Sequence, residues 1–220
     1  MTNILFEHVP IHECGEELVN LKNYDFVLDS QYFNQGFSSD SNMYLRLGVA
    51  EKLASIQKTF NGKFRFKIWD GFRPREVQNN IYQKFWKDSK IKHPDWSDPE
   101  LTQEVGLYIT IATNLNRIPP HSTGGAVDLT LVDKNGKELE MGTVFDHFGL
   151  EAHPMHYEEN DINDGIKQNR RLLREIMLQN GFRNSADEWW HFDHGDQIWA
   201  VFNGEPHAFY GEAPTPAKTA

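Results

Sequence analysis

The segment 119–132 constrains the fold more than any other stretch, because it places a carboxylate at the start of a buried strand. Asp128 is followed by the apolar run 129–132, which is typical of a strand inside a core. A buried carboxylate without a partner is very costly. His121 lies seven residues earlier, and the glycine pair 124–125 allows a tight turn or a close approach. A metal ion is one partner for Asp128. Taken alone, the segment is equally compatible with an exposed loop.

A second group of candidate ligands lies in the segment 187–194, near the C-terminus. Catalytic zinc usually has three protein ligands and one water molecule. His121, Asp128 and His191 would supply the three ligands, and Glu188 would be a carboxylate beside the water. These are the components of metal-assisted hydrolysis, in which the metal acidifies water and polarises a carbonyl while a base accepts the proton.

The position of Glu188 relative to this site stays open at the level of sequence. Residues 189–192 favour a strand, and side chains alternate between the two faces of a strand. Glu188 and His191 would then point to opposite faces, unless Glu188 lies at the mouth of the strand or on a bulge. His194 is a competing ligand, because a His-x-x-His pair with His191 would share one face of a helix.

Composition excludes several classes of function. The 220 residues carry a formal net charge of −10, so there is no basic excess to neutralise nucleic-acid phosphates. No apolar stretch approaches the ~20 residues that span a bilayer, and the N-terminus lacks a basic segment followed by an apolar run. We therefore expect no nucleic-acid partner, no membrane span and a cytoplasmic location, or a periplasmic or secreted one if a leader has been removed.

Cys14, the single cysteine, is expected to be buried.

Periodicity predicts four helices and several strands. Helical spacing is found at 42–60, around 77–85, from Ser97 to about Asn114, and at 166–180. Strand patterns are found at 64–69, 128–132, 138–141, 189–192 and 198–201, with a hairpin turn at 133–136. Arg170, Arg171 and Arg174 are expected to form a solvated face of the last helix. Helices and strands without regular alternation indicate a single α+β domain over 1–212, followed by a disordered tail at 213–220.

Five segments, in order and covering about 24–199, resemble one known family. They are Trp69-Asp70-Gly71-Phe72-Arg73-Pro74, His121-x6-Asp128-Leu129-Thr130-Leu131, Met141-Gly142-Thr143 with Phe145-Asp146, Asn169-Arg170-Arg171-Leu172-Leu173, and Glu188-Trp189-Trp190-His191. The chain resembles the D-alanyl-D-alanine dipeptidases of the vancomycin-resistance type. These enzymes belong to a zinc peptidase superfamily that also includes D,D-carboxypeptidases and the hedgehog signalling domain.

The resemblance implies a role for each matching residue. His121, Asp128 and His191 look like the ligands of one zinc ion per chain. Glu188 looks like the general base, and Arg73 looks like the cation that stabilises the oxyanion together with zinc. The resemblance also implies that Asp146 binds the ammonium group of a small dipeptide substrate, and that the fold has a central, mainly antiparallel sheet flanked by helices.

One departure from the family pattern concerns the substrate. The family motif Ser-x-His-x-x-Gly-x-Ala-x-Asp has a serine that helps to bind the amino end of the dipeptide, and Pro119 stands in that position here. Phe72 also replaces a common tyrosine. The resemblance therefore implies a zinc dipeptidase acting on D-alanyl-D-alanine or a related dipeptide. The alternatives are a D,D-carboxypeptidase or endopeptidase acting on longer cell-wall peptides, and a non-catalytic zinc-binding interaction domain. The oligomeric state stays open.

Overall fold

The structure is a computed structural model, and it describes residues 8–108, 118–147 and 149–216. Its strands are β1 (Leu18–Asn20), β2 (Val27–Leu28), β3 (Tyr44–Arg46), β4 (Phe64–Asp70), β5 (Val127–Asp133), β6 (Arg183–Asn184) and β7 (His191–Asp193). Its helices are α1 (Gln31–Asn34), α2 (Leu47–Thr59), α3 (Arg75–Lys92), α4 (Asp98–Tyr108), α5 (His156–Glu159), α6 (Asp164–Gln179) and α7 (Gln197–Asn203). Short 3-10 turns lie at Leu21–Asn23, Pro120–Thr123 and Leu150–Ala152.

A five-stranded sheet in the order β2-β4-β5-β7-β6 forms the centre of the molecule. The pair β2–β4 is parallel, and the other three pairs are antiparallel. Strands β1 and β3 form a separate two-stranded sheet. The predicted α+β class with a mainly antiparallel central sheet is therefore confirmed.

The register of this sheet brings distant polar residues side by side. Asp70 at the end of β4 pairs with Asp128 on β5, after an irregularity that follows Ile68. Asp128 in turn pairs with His191 on β7. Two carboxylates and an imidazole therefore meet at one end of three adjacent strands.

The main core lies against α2. Leu53 and Ile56 of this helix belong to the same buried cluster as Ile68, Leu129 and Leu131 of the sheet. Because side chains alternate along a strand, Asp128 lies on the face of β5 opposite to this core. The apolar positions thus fix the orientation of β5, and the orientation of β5 fixes that of the carboxylate.

Two predicted elements differ from the structure. The helix predicted from Asn42 begins only at Leu47, because Tyr44–Arg46 forms β3 and pairs with β1. The strand predicted at 198–201 is wrong, since this stretch lies within α7. The Asp196 carboxylate caps that helix by accepting the Trp199 N–H at 2.8 Å, and this cap overrides the strand preference of the isoleucine, tryptophan and valine that follow it.

The prediction of a solvated arginine face on α6 is wrong for Arg170. Its side chain is buried, and it donates hydrogen bonds to the carbonyl oxygens of Met141 (2.7 Å), Glu151 (2.7 Å) and His153 (2.8 Å). Helix periodicity does not reveal that a neighbouring loop offers three carbonyl groups. The segment 141–153 is thereby attached to α6.

Smaller predictions have mixed outcomes. The hairpin after β5 is confirmed, because the Leu139 N–H donates to Leu131 O at 2.9 Å. Cys14 is exposed, contrary to prediction. Ala213, placed in the predicted tail, is buried, and its N–H donates to Ser122 O at 2.9 Å. The predicted end of the third helix near residue 114 and the last four residues lie outside the described residues.

In the described parts of the chain, no helix is both long and apolar enough to span a membrane.

Candidate active site

Three buried side chains point their donor atoms at one position. His121 Nε2 lies 3.1 Å from His191 Nδ1 and 3.3 Å from an oxygen of Asp128. His191 Nδ1 lies 2.9 Å from the other oxygen of Asp128. Nitrogen and oxygen donors held about 2.0–2.1 Å from a tetrahedral zinc ion are about 3.3 Å apart, so these separations fit a metal centre. Three residues predicted as ligands are brought together here.

Hydrogen bonds on the far side of each ring determine which nitrogen carries a proton. His121 Nδ1 lies 2.8 Å from Gly71 O, and His191 Nε2 lies 2.8 Å from Asp193 Oδ1. Both partners are acceptors, so in the neutral rings the outer nitrogens carry the hydrogen atoms and the inner nitrogens carry lone pairs. Two lone pairs and a carboxylate that face one another need a cation between them. This arrangement is typical of metal-ligating histidines.

Charges within the cluster favour a cation as well. Burial alone would raise the pKa of Asp128, but His121 and His191 lower it well below its usual range. Burial alone would lower the pKa of His191, but Asp193 and Asp128 raise it well above the ordinary value. The carboxylates therefore stabilise positive charge at this position, which a proton or a divalent ion can supply.

Arg73 lies beside the cluster in a fixed orientation. Its Nε and one terminal nitrogen donate to Asp70 Oδ2 at 2.9 and 2.8 Å, and Nη1 donates to Gln78 Oε1 at 2.8 Å. The guanidinium is 3.6 Å from Asp128 and stacks 4.3 Å from the ring centre of Tyr32. Burial would lower the pKa of Arg73, but its neighbours raise it further, so the cation is permanent.

Glu188 precedes β7, and this placement answers the question that the sequence left open. The strand begins at His191, and Trp189 and Trp190 form a turn, so strict alternation does not apply to Glu188. Burial, with the negative charges of Asp128 and Asp146, raises the pKa of Glu188 to about 8. The carboxyl therefore shares the electrostatic environment of the ligand cluster.

Asp146 lies near Asp128 and Glu188, in the segment that Arg170 attaches to α6. Its backbone has a φ of 57°, a left-handed conformation that non-glycine residues seldom adopt. The Tyr32 hydroxyl donates to its carboxylate at 3.2 Å. Burial and the charge of Asp128 raise the pKa of Asp146 to about 7. A positive group that entered the site would lower this pKa and pair with the carboxylate.

The competing ligand His194 is excluded by its position. Its Nδ1 lies 3.0 Å from Gly181 O, and its ring packs against Trp199 and Phe209. Burial lowers the pKa of His194 to about 4, so it remains neutral. Among the described residues, the grouping of potential metal ligands contains His121, Asp128 and His191.

Three residues that contact this site were not predicted. Asp70 was recognised only as part of the motif that contains Arg73, although it holds the guanidinium. Tyr32 lies in a four-residue helix without a motif. Asp193 belongs to no recognised motif, although its spacing of two residues from His191 on a strand is a usable signal, because such residues share a face.

We expect the metal-free protein to lose stability as the pH rises from about 5 to about 8. Glu188 and Asp146 have raised pKa values in the folded state, about 8 and about 7, whereas free carboxyl groups titrate near pH 4. Between these values the folded state binds more protons than the unfolded state, so the free energy of unfolding falls as the pH rises. The raised pKa of His191 acts in the same direction.

Thermal unfolding of chelator-treated protein across this pH range tests that expectation. The decrease in melting temperature with rising pH should be smaller for Glu188→Gln, which removes one of the two carboxyl groups. A melting temperature that increases from pH 5 to pH 8, or an unchanged slope in the variant, would contradict it.

Buried histidine and aspartate ligands, with a carboxyl group and a fixed arginine beside them, define the class of metal-dependent hydrolases. The family model described as D-ala-D-ala dipeptidase (Peptidase_M15) matches residues 42–208. The chain belongs to this family, which confirms the resemblance and the assignment to metallopeptidases.

Known relatives extend the match over the chain. A D-alanyl-D-alanine dipeptidase of Synechocystis sp. is 28% identical over 92% of this chain and 94% of its own length. The enzymes of that name from Escherichia coli and Enterococcus faecium are each 32% identical, over 57% and 65% of this chain and 53% and 66% of their own lengths. A vancomycin-resistance D,D-pentapeptidase solved as a zinc complex gives a TM-score of 0.48 at 13% identity, covering 91% of this chain and 96% of its own. The family assignment rests on the sequence matches.

Proposed function

We propose that this protein is a zinc-dependent dipeptidase that hydrolyses D-alanyl-D-alanine, with one zinc ion per chain. The observation that carries the proposal is the convergence of two imidazole lone pairs and the Asp128 carboxylate, all buried, beside Glu188 and Arg73. Relatives named D-alanyl-D-alanine dipeptidase, one of which matches along almost its whole length, support the choice of substrate.

Bound among His121, Asp128 and His191, zinc would lower the pKa of a water molecule to about 7 and polarise the scissile carbonyl. Glu188 accepts the proton of the attacking water and later donates it to the leaving amine. Burial makes this carboxyl group hold a proton more readily than a free one, which suits the donation to the leaving amine. A cation bound beside it would lower its pKa and favour the ionised form that accepts the proton of water.

Arg73 stabilises the oxyanion that forms at the scissile carbonyl. Asp70 and Gln78 hold the guanidinium in place, so no reorganisation is needed when charge develops. Asp70 also lies 3.3 Å from His121 Nδ1, so one carboxylate orients both the arginine and a ligand. The Arg73 guanidinium and the His121 imidazole are therefore held in a fixed relative position.

Asp146 pairs with the free ammonium group of the substrate, and Tyr32 holds the carboxylate in place through its hydroxyl. This carboxylate is half-buried, so a neutral amide in place of the ammonium would leave a partly desolvated charge unpaired. Such a loss costs about 1.5–3 kcal/mol, or roughly 10- to 10²-fold in binding. The site therefore favours a free dipeptide over a longer peptide, and Asp146 supplies a polar contact at the amino end despite proline at position 119.

The test compares hydrolysis of D-alanyl-D-alanine, its N-acetyl derivative and a pentapeptide ending in the same two residues. We expect turnover of the free dipeptide, roughly 10- to 10²-fold slower cleavage of the other two, loss of activity with a chelator and recovery with zinc. Preferred cleavage of the pentapeptide would instead indicate a D,D-carboxypeptidase. No turnover of any peptide by fully zinc-loaded protein would indicate a non-catalytic domain. The cytoplasmic location expected from the sequence stays a prediction.

A further inference from the structure

The two histidine ligands differ in what lies behind them. His121 Nδ1 donates to Gly71 O at 2.8 Å and lies 3.3 Å from Asp70 Oδ2, whereas His191 Nε2 donates directly to the carboxylate of Asp193 at 2.8 Å. A carboxylate behind an imidazole increases the basicity of the opposite nitrogen and fixes the ring orientation. Of the two ligands, His191 has the closer carboxylate behind its ring.

Asp193 is itself held at both oxygens. Its Oδ1 accepts from His191, and its Oδ2 accepts from Arg183 Nη1 at 2.7 Å. Asp193 has no exposed surface, and the Arg183 guanidinium lies 4.2 Å from the ring centre of Phe202. A buried charge is tolerated when it is paired and hydrogen-bonded, as this one is.

Strand register produces this arrangement. His191 and Asp193 are two residues apart on β7 and share one face of the strand. Arg183 on β6 pairs directly with Asp193 across the sheet. The metal ligand, the carboxylate and the arginine thus form a continuous line from the site toward the surface.

We propose that Asp193 is a positioning residue that orients His191 for metal binding, and that Arg183 holds Asp193 in place. This inference rests on the metal centre of the proposed function. It means that the strand pair β6–β7 increases metal affinity through Arg183 and Asp193, neither of which is itself a ligand. Partners of this kind typically contribute 10–100-fold to metal affinity.

The experiment is a competition titration of purified protein with zinc and a chromophoric chelator at fixed pH. We expect Asp193→Asn to weaken zinc binding by about 10–100-fold. Arg183→Met should weaken it by a smaller factor, because Asp193 then keeps only one of its two contacts. The absorption spectrum of the cobalt-substituted protein should also change in Asp193→Asn, since the imidazole is less firmly oriented.

Asp196→Asn is the matched control. Asp196 is also buried, lies three residues from Asp193 and caps α7 through Oδ1. Among the described residues its Oδ2 has no hydrogen-bond partner, and its carboxylate makes no hydrogen bond with His191. We expect this variant to bind zinc with the affinity of the wild type.

Three outcomes separate the inference from the proposed function. Wild-type zinc affinity in Asp193→Asn, or an equal loss in Asp196→Asn, overturns the inference and leaves the proposed function intact. Absence of zinc binding by the wild-type protein overturns the proposed function. Circular dichroism of the metal-free variants checks folding, and Arg183→Met decides the test if Asp193→Asn does not fold: unchanged affinity in Arg183→Met then overturns the inference.

Discussion

Glu188→Gln is expected to lower kcat for D-alanyl-D-alanine by about 10²–10⁴-fold while the protein still binds zinc. Glutamine has the shape of glutamate but does not accept or return a proton, so only the proton transfers are lost. Glu188 is not one of the three converging ligands, so its removal leaves the donor set complete. Steady-state kinetics and zinc content, measured on the same sample, give both quantities.

Asp187→Asn is the control for this prediction. Asp187 neighbours Glu188 in sequence, but its side chain is 63% exposed and lies 3.9 Å from His153, away from the ligand cluster. We expect its kcat to equal that of the wild type. If Glu188→Gln retained full turnover, or lost its zinc, the role of general base would be wrong.

His121→Ala is expected to have the largest effect on metal binding. It removes one of three protein donors, and the binding free energy of zinc in protein sites, about 10–16 kcal/mol, is shared among about four ligands. The loss is therefore on the order of 3 kcal/mol, or roughly 10²-fold in affinity, and activity at limiting zinc should disappear with it. The chelator titration described above measures this change.

His153→Ala provides a matched histidine control, because that side chain is 44% exposed and lies outside the cluster. Its zinc affinity should be unchanged. Equal affinity in His121→Ala and wild type would mean that the ion binds elsewhere, and an equal loss in His153→Ala would mean that the effect is not specific to the site.

The ligands could be recognised from the sequence because their chemistry narrows the choice. An aspartate that leads into an apolar strand needs a partner, and histidine and glutamate occur together near the C-terminus. The register that joins them is not encoded locally. Asp128 and His191 are separated by 63 residues, and only the pairing of β5 with β7 makes them neighbours.

Residues that support the site were harder to predict for the same reason. Asp193 and Asp70 are ordinary aspartates until the sheet places an imidazole and a guanidinium beside them. Arg170 has the helical spacing of a solvated residue, yet it is buried because the segment 141–153 offers carbonyl groups to it. Local patterns describe which residues can pair, whereas tertiary contacts decide which of them do.

The most direct test of the account is a zinc-edge anomalous difference map from crystals grown with zinc. We predict a single strong peak bounded by His121 Nε2, His191 Nδ1 and a carboxylate oxygen of Asp128. A peak at any other position, or density for an ion that touches none of these three atoms, would contradict the account.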